Sequence, residues 1–145
     1  MTKAERLGHA NELIQVISRH GRRFFYNRET GAIGQLELDG RGRVWWIDDY
    51  RGARVYTGKV MGYPHEWRGF SHGGTLRSLV EAMRDYVLHG KLIHPDHIAP
   101  CRMNPKNGDI WGYGFEAAAA VRCEASWLPI FADPAQTQPQ KDSKQ

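Results

Sequence analysis

The sequence has only two cysteines and no long apolar run, and these absences exclude several classes of protein. Cys101 and Cys123 are too few for the disulfide framework of a small secreted domain. No stretch approaches the roughly 20 apolar residues that a membrane-spanning helix needs. The first residues, MTKAERLGHANELIQ, mix charges with apolar residues and lack the pattern of a signal peptide. We therefore expect a cytoplasmic protein with reduced thiols and no membrane partner.

Signatures of catalysis and of metal binding are equally scarce. There is no P-loop and no dinucleotide-binding fingerprint. Ser71 and His72 are neighbours, but adjacent residues in an extended segment point to opposite sides. His94, His97 and Cys101 lie within eight residues, yet they lack the paired units of a structural zinc site. We expect no catalytic residues, no metal and no cofactor, and we keep a small-molecule enzyme only as a third alternative.

What the sequence does contain is ordinary for one soluble domain. Of its 145 residues, 41% are hydrophobic and 25% are charged, values that differ from those of disordered chains. A chain of this length usually forms one core. From residue 132 onward the sequence is polar and has no aromatic residue. We expect a single globular domain over residues 1–131 and a disordered polar tail over residues 132–145.

The first half of the chain predicts a helix followed by strands. Thr2 and Glu5 have the spacing of a capping box, and apolar residues recur at helical spacing towards Gly21, which predicts a helix over residues 3–20. Glycine-containing turns then separate four β-rich runs, and Asp39-Gly40 is the clearest hairpin signal among them. The runs cover residues 22–28, 32–38, 43–49 and 53–57.

The second half predicts two more helices. The first has one apolar side and ends at Gly90. That side consists of Leu76, Leu79, Val80, Met83 and Val87. The last helix is expected from about Phe115 to Trp127, where Pro129 stops it. Together the patterns predict an α+β fold, in which a four-stranded antiparallel meander packs against two or three helices in the order α-β-β-β-β-α-α.

Positive charge is concentrated in the N-terminal half. The first 59 residues carry eleven Lys or Arg against seven Asp or Glu, a difference equal to the +4 net charge of the whole chain. RHGRRFFYNR, residues 19–28, contains four arginines, three aromatic rings and no acid. Such a composition is typical of sheets that hold single-stranded nucleic acid by base stacking. The alternative is that the rings fill the core while the arginines lie along its edge.

The stretch WRGFSHGGT, residues 67–75, precedes the second helix and has two interpretations. The open N–H groups of the helix, together with Arg68 and His72, could bind a phosphate or a carboxylate. Alternatively, the two glycines turn the chain and a serine or threonine caps the helix, which is the interpretation we favour. The two interpretations are compatible, since a capped helix can still present both side chains.

From these patterns we expect a small non-enzymatic binding protein that contacts an anionic partner, nucleic acid first. The main alternative is a protein–protein interaction module, such as a dimeric adaptor or an inhibitor of a macromolecular target, because Trp, Tyr and Arg also dominate protein interfaces. A homodimer would use the same residues. The predicted anion-binding residues are Arg19, Arg22, Arg23, Arg28, Arg43, Arg68 and His72. The predicted aromatic contacts are Phe25, Tyr26, Trp45 and Trp67.

Overall fold

The computed structural model describes residues 1–21, 25–58, 67, 70, 74–95 and 115–131. Their helices and strands are, in chain order, α1 (Lys3–Gly21), β1 (Gln35–Leu38), β2 (Val44–Ile47), β3 (Arg54–Tyr56), α2 (Gly74–His89) and α3 (Phe115–Ala125). The predicted α+β class is confirmed. The predicted tail, residues 132–145, lies outside the described residues. Within the described ranges, no helix has both the length and the apolar character that crossing a membrane requires.

Helix α1 begins at the predicted capping box. The Thr2 N–H donates to Glu5 Oε1 at 2.8 Å, and the Glu5 N–H donates to Thr2 Oγ1 at 3.1 Å. These bonds satisfy N–H groups for which the first turn of a helix offers no carbonyl. The helix ends at Gly21, one residue after the predicted end. Its apolar side is fully buried and consists of Ala10, Leu13, Ile14 and Ile17.

The three strands form an antiparallel sheet in the order β1-β2-β3. Leu36 pairs with Trp46, which pairs in turn with Val55, and all three side chains are buried. Helix α1 contacts β1 and helix α2 contacts β2, so the helices cover this inner face. Because successive side chains of a strand point to opposite faces, the neighbours of these three residues lie on the outer face.

The first of the four predicted strands differs from the structure. Residues 22–24 lie outside the described residues. In the rest of that segment, Tyr26 forms a single isolated bridge with Ile33, and Phe25 has a φ of 63°. A left-handed residue interrupts the extended backbone that a strand requires. Residues 25–58 therefore contain three strands and one bridge in place of a four-stranded meander.

Side-chain oxygens close two of the predicted turns. Asn27 Oδ1 accepts the N–H groups of residues 29 and 30, and Asp48 Oδ2 accepts those of residues 50 and 51. A glycine with positive φ follows each of these residues four positions later. Gly31 has a φ of 77° and Gly52 a φ of 65°. These are Asx turns, in which the side chain replaces a backbone acceptor and glycine adopts the left-handed conformation without strain.

The predicted helices of the second half are confirmed, with small differences at their ends. The apolar side of α2 is buried throughout, and Gly90, with a φ of 73°, donates its N–H to Tyr86 O at 2.8 Å. Helix α3 ends at Ala125, two residues before the predicted limit. Helix α1 contacts α2, α3 and β1, and is therefore the central element of the described core.

Asn11 fixes α1 to the backbone of the sheet. Its Oδ1 accepts the Leu36 N–H at 2.8 Å, and its Nδ2 donates to Leu36 O at 3.1 Å. One side-chain amide thus satisfies both backbone polar groups of a residue that is only 1% exposed. This contact sets the position of β1 relative to the helix, and with it the position of the strands that pair onward from β1.

Candidate functional site

An arginine and aromatic cluster occupies the outer face of the sheet. The register places Glu37 opposite Trp45 and Trp45 opposite Tyr56, so these side chains form a row across the three strands. Arg54 begins β3 on the same face, and Arg43 immediately precedes β2. We call Arg43, Trp45, Arg54 and Tyr56 the Arg–aromatic cluster.

The two rings of the Arg–aromatic cluster lie side by side and each is approached by a guanidinium. The centroids of Trp45 and Tyr56 are 5.0 Å apart, with an angle of 49° between the ring planes. Arg54 Cζ is 4.2 Å from the Trp45 centroid. Arg43 Cζ is 5.8 Å from the Trp45 ring and 5.7 Å from the Tyr56 ring. These are cation–π distances, each typically contributing about 0.5–1 kcal/mol at an exposed site.

Asp39 holds one side of the cluster in place. Its Oδ2 accepts the Trp45 Nε1–H at 2.9 Å and the Arg43 Nε–H at 2.8 Å. Its Oδ1 accepts the backbone N–H groups of Arg41 and Arg43, both at 2.9 Å, and so closes the hairpin between β1 and β2. The indole N–H, followed by the donors of Arg43, holds the pKa of Asp39 well below its usual range. The carboxylate is therefore ionised at all physiological pH values.

Glycine at position 58 lets the Tyr56 ring lie against the backbone. A Cβ at Gly58 would be 2.6 Å from the Cζ and Oη atoms of Tyr56. This is closer than a Cβ contact can be, so any other residue would push the Tyr56 ring away. Strand register, the Asp39 carboxylate and this glycine together determine where the two rings lie.

The cluster has planar surfaces but little net charge. Arg43 is paired with Asp39, and Arg54 Nε lies 3.6 Å from Glu37 Oε1. The side chains of both arginines are about half exposed, at 44% and 50%. Each is engaged by a carboxylate through Nε, and a guanidinium has further N–H groups on its Nη atoms. Trp45 and Tyr56 are half-buried, so the cluster can offer a ligand the exposed parts of its rings, its guanidinium planes and its N–H donors.

Of the residues predicted as contacts, the structure brings Arg43 and Trp45 together. The core alternative holds for Phe25, which is fully buried with its ring 5.1 Å from that of Trp46. Tyr26 is half-buried at its bridge to Ile33. Phe25 therefore cannot contact a partner, and Tyr26 lies outside the Arg–aromatic cluster.

The other predicted residues are dispersed. Arg19, near the end of α1, pairs with Glu124 of α3, and Arg28 is exposed in the Asn27 turn. Trp67 is half-buried, with its ring 5.3 Å from Phe70 and in contact with the core. Arg22, Arg23, Arg68 and His72 lie outside the described residues.

Helix α2 begins at Gly74, within the stretch WRGFSHGGT. Gly74 and Thr75 therefore belong to the helix and are not its turn and its cap, whereas Ser71 lies outside the described residues. The Phe70 ring lies 5.9 Å from Trp46, so this part of the chain contacts the core side of the sheet. Trp67 packs against Phe70 and under the guanidinium of Arg77, at 4.8 Å. The stretch therefore contributes its two described rings to the core side and not to the Arg–aromatic cluster.

Sequence reasoning missed three members of the site, Asp39, Arg54 and Tyr56. The hairpin signal places Asp39 only in the turn, whereas the same carboxylate also accepts a hydrogen bond from Trp45. Arg54 and Tyr56 become neighbours of Trp45 through the register of β2 and β3. Alternation within each strand, together with the lengths of the two turns, was the available signal.

Comparison with known proteins assigns the chain to a family. A family model described as YoqU matches residues 1–133. The chain belongs to the YoqU family. A relative, the SPbeta prophage-derived uncharacterized protein YoqU of Bacillus subtilis (strain 168), is 30% identical over 121 residues, which cover 83% of this chain and 79% of the relative. No solved structure matches this YoqU-family chain. The match to the YoqU model includes every helix and strand described above.

Proposed function

We propose that this protein is a cytoplasmic, non-enzymatic protein that binds single-stranded nucleic acid on the outer face of its sheet. The observation that carries the proposal is the pair of rings, Trp45 and Tyr56, 5.0 Å apart and each within 6 Å of a guanidinium. Unpaired bases stack on aromatic rings and on guanidinium planes, and stacking contributes about 1–3 kcal/mol per base.

The geometry favours a single strand over a duplex. In a duplex the faces of the bases are already stacked on each other, whereas a single strand can place them on side chains. The cluster lies on the face of a three-stranded sheet, whereas a major groove admits an α-helix or a two-stranded ribbon. The pairing of Arg43 with Asp39 and of Arg54 with Glu37 also limits the attraction for the dense charge of a duplex.

The small number of arginines in the cluster sets the expected dependence of binding on salt. Two arginines allow about two phosphate contacts, and each contact to a single strand adds about −0.7 to the slope of log K against log[salt]. We therefore expect a slope near −1.4, which is shallow for a nucleic-acid-binding protein but distinct from the near-zero slope of an apolar protein interface.

Fluorescence anisotropy with labelled single-stranded DNA and RNA, and with the corresponding duplexes, tests the proposal. Trp45→Ala should weaken binding of the single strands by about 5- to 150-fold, the equivalent of one stacked base. Arg54→Ala should weaken binding and make the slope shallower by about 0.7. Lys91→Ala is the matched control, because it removes one positive charge from an exposed position outside the sheet.

Two results would contradict the proposal. One is that neither single strand binds at low salt, whether or not a duplex does. The other is that Trp45→Ala and Arg54→Ala bind a single strand as tightly as Lys91→Ala does. Because Trp45 also bonds to Asp39, thermal unfolding of each variant must first show that the fold is intact at the assay temperature.

A further inference from the structure

The most exposed large hydrophobic side chain among those described is Trp127, which is 82% exposed. It lies in the turn that follows α3, where its Nε1–H donates to Glu124 O at 3.1 Å. The backbone around it is also bonded, with Ser126 N donating to Arg122 O at 2.9 Å and Leu128 N donating to Ala125 O at 2.9 Å. The ring is therefore held in one position on a bonded turn, and burying it in a complex would cost little conformational entropy.

A groove of about 440 Å³ lies beside this ring, between α1 and the end of α3. Val16, which is 5% exposed, the half-buried Leu128 and the Trp127 ring itself supply its apolar part. Glu12, Gln15, Arg19 and Glu124 supply the polar part of its lining. Cavities of about 300–1,000 Å³ can enclose a group of the size of an aromatic side chain or larger.

The charges at this groove identify which partner it suits. Glu124 accepts hydrogen bonds from Arg19 and from His20, at 2.6 Å for His20, and Glu12 adds a second carboxylate. Basic side chains and carboxylates thus lie next to one another at the opening. A polyanion would meet two carboxylates, so nucleic acid is disfavoured here. A second copy of this surface can instead bring its own Arg19 towards these carboxylates.

We infer that the groove and Trp127 form the interface of a homodimer, in which each Trp127 enters the groove of the other copy. The ring and the groove are adjacent on one surface, as an isologous two-fold interface requires, since the same patch must supply both the projecting and the receiving part. Two tryptophans would be buried, each removing about 150–250 Å² from water. The charged side chains of the rim lie around this apolar centre, as in other protein interfaces.

Sedimentation equilibrium of the full chain over a range of concentrations tests the inference. The wild type should be dimeric at about 200 µM, a concentration at which even a Kd of order 10⁻⁴ M gives a large dimer fraction. Trp127→Ala should raise the dimer Kd by at least roughly 30-fold, the change that corresponds to the loss of an interface hot spot. Gln15→Arg, which enlarges an exposed side chain of the groove lining, should also raise it.

The matched control is Leu92→Ala, because Leu92 is an apolar residue that is 47% exposed and does not line the groove. Its dimer Kd should equal that of the wild type. A wild type that is monomeric at every concentration would overturn the inference. So would a dimer whose Kd is changed neither by Trp127→Ala nor by Gln15→Arg, since its interface would lie elsewhere. Circular dichroism of both variants confirms that a loss of dimer is not a loss of fold.

Discussion

Replacing Asn11 by alanine should weaken the attachment of the sheet to α1. The amide forms two hydrogen bonds with the Leu36 backbone, and a typical hydrogen bond contributes about 0.5–1.5 kcal/mol net, so the two together contribute about 1–3 kcal/mol. Asn11 is only half-buried, so water can partly replace the lost amide. Alanine also has a higher helix propensity than asparagine, which offsets up to about 0.7 kcal/mol of this loss. The expected net loss in the free energy of unfolding is therefore about 0.5–2.5 kcal/mol.

Urea and thermal unfolding followed by circular dichroism measure this loss. For a domain of this size, 1 kcal/mol changes the melting temperature by about 2–4 °C, so Asn11→Ala should melt roughly 1–10 °C below the wild type. Glu12→Ala, at the adjacent exposed position of α1, is the control and should stay within about 0.5 kcal/mol of the wild type. Hydrogen exchange of the Leu36 N–H should accelerate in Asn11→Ala alone. Equal stability of the two variants, with unchanged exchange at Leu36, would refute the role assigned to this amide.

Three further substitutions test packing, helix propensity and electrostatics among the described residues. Gly34→Ala would bring a Cβ to 2.5 Å from two ring atoms of the fully buried Trp46, and overpacking of this kind should lower the free energy of unfolding in urea by about 1–3 kcal/mol. In Gly8→Ala, within α1, the added Cβ has no atom within 4 Å, and the substitution should raise the free energy of unfolding by about 0.5–1 kcal/mol. Hydrogen bonds from the two basic side chains of α1 lower the pKa of Glu124 from its ordinary value of 4.5. The ionised Glu124 carboxylate thus contributes its full stabilisation above its ordinary pKa. This stabilisation is lost as pH falls from about 5 through the lowered pKa. Thermal unfolding should accordingly show a steeper acid-induced loss of stability in the wild type than in Glu124→Gln, and parallel curves would contradict this assignment.

Features that depend on a few consecutive residues could be predicted from the sequence. The Thr2–Glu5 capping box, the apolar side of α2 and its end at Gly90 all occur where the sequence predicts them. Each depends on the chemistry of a cap, a helical repeat or a left-handed glycine, and these act within one or two turns of chain. The Asp39-Gly40 hairpin belongs to the same group, because its carboxylate bonds to N–H groups only two and four residues away.

Features that depend on contacts distant in sequence could not be predicted in the same way. Nothing local to Asn11 indicates that its amide bonds to a strand 25 residues further along the chain. Phe25 and Trp45 are both aromatic residues in β-rich runs, yet one is fully buried and the other lies on the outer face. The difference follows from the face of the sheet that the helices cover, and from the positive φ of Phe25, which ends the first predicted strand. Trp127 was predicted only as the end of a helix, and its exposure depends on the turn that follows α3.

The proposed binding face and the proposed dimer interface share no residue. The Arg–aromatic cluster comes from β2, β3 and the turn before β2, whereas the groove comes from α1 and from α3 with the turn that follows it. A dimer formed through the groove residues alone would therefore carry two sheet faces, each able to bind a segment of a single strand. Binding of the second segment would then be intramolecular, and the strand would be held more tightly than by either face, provided that it is long enough to reach both. Under this arrangement Trp127→Ala weakens the binding of a long strand while leaving that of a short one unchanged, which separates an effect on assembly from an effect on the binding face itself.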